Sequence, residues 1–409
     1  MRQMAEKIIK NSIAAVLPDE AVARYLNDFK CRDGGLIVVS IGKAGWQMAK
    51  AASEILGDKI TKGIVITKYE HIMQPLNNFE CYEASHPVPD KAGFDASSRV
   101  LELTQNLTEN DLVLFLVSGG GSALFENSTL SVETLQDVTK QLLACGADIV
   151  EMNTIRKRLS QVKGGKFAKH CYPAKIQSIV LSDIIGNPLD MIASGPAYPD
   201  CSTSQDALDI VDKYHLNFSD EIMALLNEET PKELDNISTV ITGSVEQLCE
   251  FAKSECEKLG FETMIVTDCL SIQAREAGML LGNMARTHSR AGKKLAFIAG
   301  GETVVKLTGE GKGGRNQELA LAAAPVIDGL NACVFSVGSD GTDGPTDAAG
   351  GFVDGTSNSK FIELGIDVAV VLQKNDAYNA LQAVDGLIIT GPTGTNVNDV
   401  AVVLIENYC

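Results

Sequence analysis

Short apolar runs of strand length recur along the chain, separated by stretches whose apolar positions fall at helical spacing. The first are LIVVSIG at 36–42, GIVIT at 63–67, DLVLFLVS at 111–118 and SIVLSD at 178–183. Runs that are apolar throughout belong to strands buried on both faces, so their alternation with helical periods predicts a largely parallel sheet covered by helices on either side. After a polar stretch at 201–236 the pattern restarts with STVITG (238–243), TMIVTD (263–268), KLAFIAG (294–300), VVKLTG (304–309), ACVFSVGSD (332–340) and GLIITG (386–391). The restart predicts two α/β domains, 1–236 and 237–409. VVKLTG reads as the second arm of a hairpin turned by Gly300-Gly301, and the opening MRQMAEKIIKNSIAAVLP as an amphipathic helix.

Length agrees with this division, since 409 residues exceed one ordinary core. With 45% hydrophobic and 22% charged residues the chain is globular rather than disordered or fibrous. Its 35 basic and 53 acidic residues give a net charge of −18. That field excludes a nucleic-acid groove or an anionic membrane surface as the main partner. Any anionic ligand must be held by local positive groups. The ten cysteines show no CxxC spacing, which argues against a zinc site or a disulfide framework, and no apolar run reaches the length of a membrane span. These features together predict a cytoplasmic location.

Candidate chemistry sits where strands feed helices, the place where open α/β sheets bind ligands and free helix amides favour anions. Gly42-Lys43-Ala44-Gly45 follows the first strand. Lys43 is a phosphate contact there or a solvated turn lysine, and Ala44 departs from a Walker A loop. Ser118-Gly119-Gly120-Gly121-Ser122 exposes consecutive main-chain amides, a nest suited to a triphosphate. Arg156, Lys157, Arg158, Lys163 and Lys166 crowd a short stretch, as an anion-facing element or a solvated helix face. Asp183 ends a strand, where it holds magnesium or caps a helix. Gly309-x-Gly311-x-x-Gly314 matches a dinucleotide fingerprint, but the hairpin expected before it and the charges of Lys312 and Arg315 favour phosphoryl chemistry. Arg315 is the foremost catalytic candidate, with Asn316 beside it and Glu302 upstream. Asp340, Asp343 and Asp347 suit magnesium or substrate hydroxyls, or form Asx turns. Thr395 and Asn396 offer donors for a carboxylate or diol, and His86, between Ser85 and Pro87, reaches substrate or is structural.

IGKAGWQMAKAA, SHPVPD, VSGGGSALF, MNTIRKRLSQVKGGKFA, LSDIIGNPLDMIASGP, GGETVV, GKGGRNQE, GSDGTDGPTDAAG and GPTGTNVNDV, in this order over nearly the whole chain, resemble the glycerate 2-kinase family, whose C-terminal part is the MOFRL domain. The resemblance implies an N-terminal Rossmann-like domain, a C-terminal α/β MOFRL domain and an active site in the cleft between them. It further implies transfer of the γ-phosphoryl group of ATP, with Mg2+, to the 2-hydroxyl of D-glycerate. Lys43 and Arg315 match the family's lysine and arginine. On this reading the nucleotide is held by Ser118, Gly119, Gly120, Gly121, Ser122, Lys312, Gly313 and Gly314. His86, Arg156, Glu302, Asn316, Thr395 and Asn396 face the substrate, Asp183 and Asp340 the metal, and Asp343 orients the acceptor hydroxyl. A homodimer is left open. Ser85 and Asn187 depart from the family's usual residues, the second within the metal-binding loop. The competing readings are an NAD(P)H-dependent hydroxypyruvate reductase using the Gly309–Gly314 fingerprint and a sugar-acid sensor without turnover.

Overall fold

The computed structural model describes residues 1–30 and 34–406. Packing divides the chain into two compact units. One comprises Pro18–Ser182 with Asn187–Thr242; the other comprises Met1–Leu17, Asp183–Gly186 and Gly243–Cys409. No helix among the described residues is long and apolar enough to cross a membrane.

The first unit is built on six strands: β1 (Leu36–Ile41), β2 (Ile60–Lys68), β3 (Phe79–Ala84), β4 (Leu112–Val117), β5 (Lys175–Leu181) and β6 (Ile237–Gly243). Their spatial order is β3-β2-β1-β4-β5-β6, and the pairings from β3 through β5 are parallel. This is the doubly wound order, which reverses direction between β1 and β4 and so opens a crevice at the carboxyl ends of those two strands. Every residue of β1 and β4 is buried, which is why both read as unbroken apolar runs. Phe115 of β4 packs with Phe125 and Phe167, ring centroids 5.1 to 6.1 Å apart. STVITG, the run that restarts the pattern, is the sixth strand of this first sheet. The polar stretch before it folds into the helices Ser204–Tyr214 and Asp220–Leu226.

The second unit holds β7 (Glu262–Leu270), β8 (Leu295–Gly301), β9 (Ala332–Gly338), β10 (Gly350–Asp354), β11 (Leu387–Ile388) and β12 (Asp399–Ile405), in the order β11-β10-β9-β12-β8-β7. Only β7 and β8 run parallel, so this sheet is mixed. Because β12 is antiparallel to both neighbours, the start of β12 meets the ends of β8 and β9, with Asp399 opposite Gly301 and Gly338. The helix Arg2–Ala15 buries Ala5, Ile8, Ile9 and Ile13 in the same core as Val245, Leu248 and Cys249.

The hairpin expected at Gly300-Gly301 does not form. VVKLTG is irregular apart from one bridge between Val304 and Gln273. Leu307 stands 80% exposed and Val304 is exposed too, so of this run's apolar residues Val305 alone packs against the core. The loop is held instead by Asn375, whose Oδ1 accepts from the main-chain amides of Thr308 (2.7 Å) and Gly309 (2.9 Å).

Candidate active site

In the first unit, β1 and β4 are in register through Ile41 and Val117, so the loops that follow them emerge side by side. The Lys43 amide donates to Gly119 O (2.9 Å) and the Ala44 amide to Ser118 Oγ (3.1 Å). Gly42 has φ 110°, and a Cβ there would collide with Ser118 Oγ, so only glycine permits this approach. Ser118 is buried and staples the two loops together. Gly120 has φ 85° and precedes the short helix Gly121–Leu124. A Cβ on Gly120 would lie 3.0 Å from Cδ2 and 3.1 Å from Nε2 of His86, and 3.2 Å from Cε of Lys43. The imidazole and the lysine stem thus converge on the bare Cα of the glycine loop. Burial, then the charges of Lys43 and Lys68, hold the His86 pKa below its ordinary value. Both influences favour the neutral imidazole beside the lysine.

The basic run after residue 155 divides. Lys157 is buried against Asp200 (3.1 Å) and Asp190 (3.4 Å), and Arg158 against Asp200 (3.8 Å). Lys163 is buried against Glu126. Lys166 donates to Arg158 O and Ser160 O, and burial pushes its pKa down to about 8. Lys157, Arg158 and Lys163 are interior cations with acidic partners, and Lys166 is partly buried against main-chain carbonyls, so neither an anion-facing element nor a solvated face describes the first three. Arg156 is half-buried, with Nη2 donating to Thr139 Oγ1 (3.5 Å), and burial holds its pKa below the ordinary value.

In the second unit, the helix Arg315–Ala323 begins after Gly314, where β8, β9 and β12 meet. Arg315 donates through Nε and Nη2 to the Asp399 carboxylate (2.5 and 3.0 Å) and through Nη1 to Glu302 Oε1 (2.8 Å). Burial would lower its pKa, but the hydrogen bond and charge of Asp399 raise it instead. Asn398 Nδ2 donates to Glu302 Oε2 (3.3 Å) and to Asp183 O (3.2 Å), so the segment Asp183–Gly186, which packs with this unit, joins the cluster. Asp340 Oδ1 accepts from the Thr342 amide (2.9 Å), an Asx turn, while its main-chain carbonyl accepts from Thr393.

Asp343 has a different task from the one expected of it. It is buried, and its two oxygens accept from the amides of Asn316 (3.1 Å) and Gln317 (2.9 Å), capping the helix that carries Arg315. Burial pushes its pKa up to about 6 against the pull of those hydrogen bonds. Gly314 is required there, since a Cβ would collide with the Asp343 carboxyl group. Asn316 is likewise buried and accepts from Ser336 Oγ (2.5 Å).

Three further residues singled out in the sequence lie in the second unit. Lys312 rests over the Tyr378 ring (3.8 Å), Thr395 donates to Val16 O (3.1 Å), and Asn396 is exposed, with its Oδ1 accepting from the Asn398 amide (3.2 Å). Conversely, Asp399 and Asn398 carry geometry that sequence reasoning did not assign to them. Their signal was the polar segment NVND immediately before an apolar run, legible only once VAVVLI is recognised as a strand.

A model described as a domain of unknown function, DUF4147, matches residues 4–227, and the MOFRL family model matches residues 295–399. The D-glycerate 2-kinase of Thermotoga maritima is 49% identical to this chain, over 99% of it and 98% of the relative. The glycerate 2-kinase of Pyrococcus horikoshii is 37% identical, over 100% and 98%. The crystal structure of glycerate kinase from Thermotoga maritima superposes with a TM-score of 0.94 over 99% of each chain. With full-length identity of this order, and with the strand-end loops built as described, the chain belongs to the glycerate 2-kinase family.

Proposed function

We propose that this protein transfers the γ-phosphoryl group of ATP to the 2-hydroxyl of D-glycerate, giving 2-phosphoglycerate and ADP. The observation that carries the reading is the convergence of Lys43 and His86 on Gly120, at the strand-order reversal of a doubly wound sheet. A loop free of side chains, edged by an ammonium and an imidazole, suits a polyphosphate that main-chain amides can approach closely.

Lys43 and Arg315 supply positive charge to the transferring group, work in which positioning and electrostatics dominate over covalent chemistry. The bidentate grip of Asp399 fixes the guanidinium plane before substrate arrives, so little reorganisation remains for the reaction itself. Glu302, exposed beside Arg315, is the carboxylate assigned to substrate hydroxyls, with Asp343 holding the helix beneath.

Among the described residues, no three His, Cys, Asp or Glu side chains are grouped to hold a metal ion by themselves. This donor set fits magnesium carried on the nucleotide, which needs one or two protein carboxylates and takes its other ligands from phosphate and water. Asp183 and Asp340 are the residues that would hold it, and its charge would offset that of the phosphates.

The test is ADP release measured over a panel of small hydroxy acids, with the product's phosphate position assigned by phosphorus NMR. D-Glycerate and 2-phosphoglycerate are the expected outcome. Oxidation of NAD(P)H by hydroxypyruvate without ATP would point instead to a reductase, and saturable calorimetric binding without ADP to a sensor.

A further inference from the structure

Ala193, Ser194 and Gly195 are three consecutive residues in the left-handed region, with φ of 52°, 60° and 64°, and only the last is a glycine. A Cβ crowds the following carbonyl in that region, so ordinary residues persist there only where the surroundings overrule the strain, and such residues gather at working sites. The surroundings are on hand. The Gly164 amide donates to Ser194 O (3.0 Å) and the Gly165 amide to Gly195 O (2.7 Å). Ser194 Oγ donates to Asn153 Oδ1 (3.0 Å) and lies 3.0 Å from Ser122 Oγ. A hydroxyl has one proton, so with that of Ser194 directed at Asn153, Ser122 is the donor in the serine pair. Ala193 presses on the next residue of the same loop: a Cβ on Gly121 would fall 2.7 Å from the Ala193 Cβ.

We propose that Ala193 and Ser194 form a strap that positions the glycine loop, fixing Gly121 by packing and Ser122 through the hydroxyl chain to Asn153. This rests on the phosphoryl-transfer reading above. Ala193 and Ser194 are positioning residues, both buried and neither assigned to substrate. The chain also sets the polarity of Ser122. Its proton points inward and its lone pairs outward, so contacts to an anionic phosphate come from the loop amides and not from this hydroxyl.

Two variants test the strap, Ser194→Ala, which cuts the hydroxyl chain, and Ala193→Gly, which removes the methyl pressed on Gly121. Expected for each is an ATP KM raised ~10-fold with the glycerate KM held within about 2-fold, the split that distinguishes loop positioning from general loss of structure. Amide hydrogen exchange across 119–124, measured without substrates, should quicken by ~10-fold in both. Glycine tolerates the left-handed angle, so Ala193→Gly keeps a thermal midpoint no lower than the parent's and carries the test should Ser194→Ala fail to fold. Unchanged exchange in the loop, or equal shifts in both KM values, overturns the strap. Absence of ATP turnover in the parent protein overturns the functional reading instead, and leaves the exchange measurement to decide the strap.

Discussion

Arg315 presents the Nε and Nη2 edge of its guanidinium to a single carboxylate, that of Asp399, at 2.5 and 3.0 Å. Two parallel hydrogen bonds fix a plane, which one ammonium cannot imitate. Arg315→Ala should lower kcat by at least ~10²-fold, and Arg315→Lys should restore little of it. The buried Asp399 carboxylate left unpaired in Arg315→Ala should cost about 1–3 kcal/mol of stability, recovered when Asp399→Asn is added but without recovery of kcat. Steady-state kinetics and urea melts on the three variants decide it; full activity in Arg315→Lys would remove the argument from geometry.

Lys43 and His86 share the edge of Gly120, so each reports on the other. Removing the ammonium by Lys43→Met should raise the His86 pKa towards its ordinary value, with burial still holding it below, as read by NMR titration of the imidazole. The same variant should lose ~10²-fold or more in kcat. An unmoved His86 titration would show that the two side chains do not sense each other.

Gly120→Ala places a methyl at φ 85° within 3.0 to 3.2 Å of His86 and Lys43. Both neighbours are side chains able to give way, so the fold should survive with a loss of about 1–2 kcal/mol, while the ATP KM rises ~10-fold. Calorimetry and initial rates test the two halves separately.

Asp343 titrates high because it is buried, at about 6 against about 4 in the unfolded chain. The folded state therefore binds the proton more tightly. The stability this contributes is fully present below pH ~4 and is lost as pH rises towards 6, at no more than about 1.4 kcal/mol per pH unit. Asp343→Asn, which cannot titrate, should lack that component in urea melts taken from pH 4 to 7. Parallel stability profiles for the two proteins would count against the assignment.

The loops GKAG and SGGGS were legible in sequence because buried parallel strands and bare glycines leave local signatures, and the strand-order reversal then brings them together. The basic run was legible as a cluster and not as to its direction, since Asp200 and Glu126, the acids that take in Lys157, Arg158 and Lys163, are distant in the chain. Asp343 was singled out for its carboxylate, yet its partners are main-chain amides at the start of a helix. VVKLTG has strand composition but gains no ladder beyond Val304, so composition alone misled there. Asp399 is the converse case. Its importance comes from the register of β12 against β8 and β9, a long-range pairing of which the local segment NVND marks only the start of a strand.

The helix Arg2–Ala15 is made before the first sheet, yet the residues that cover Ile8, Ile9 and Ile13 are made only after the whole of that sheet. At ~5–20 residues per second it waits some tens of seconds with its apolar stripe uncovered. Nascent chains halted before Val245 should therefore be chaperone clients through this helix, and bulky insertions beside it should disturb the second unit rather than the sheet encoded next in the chain.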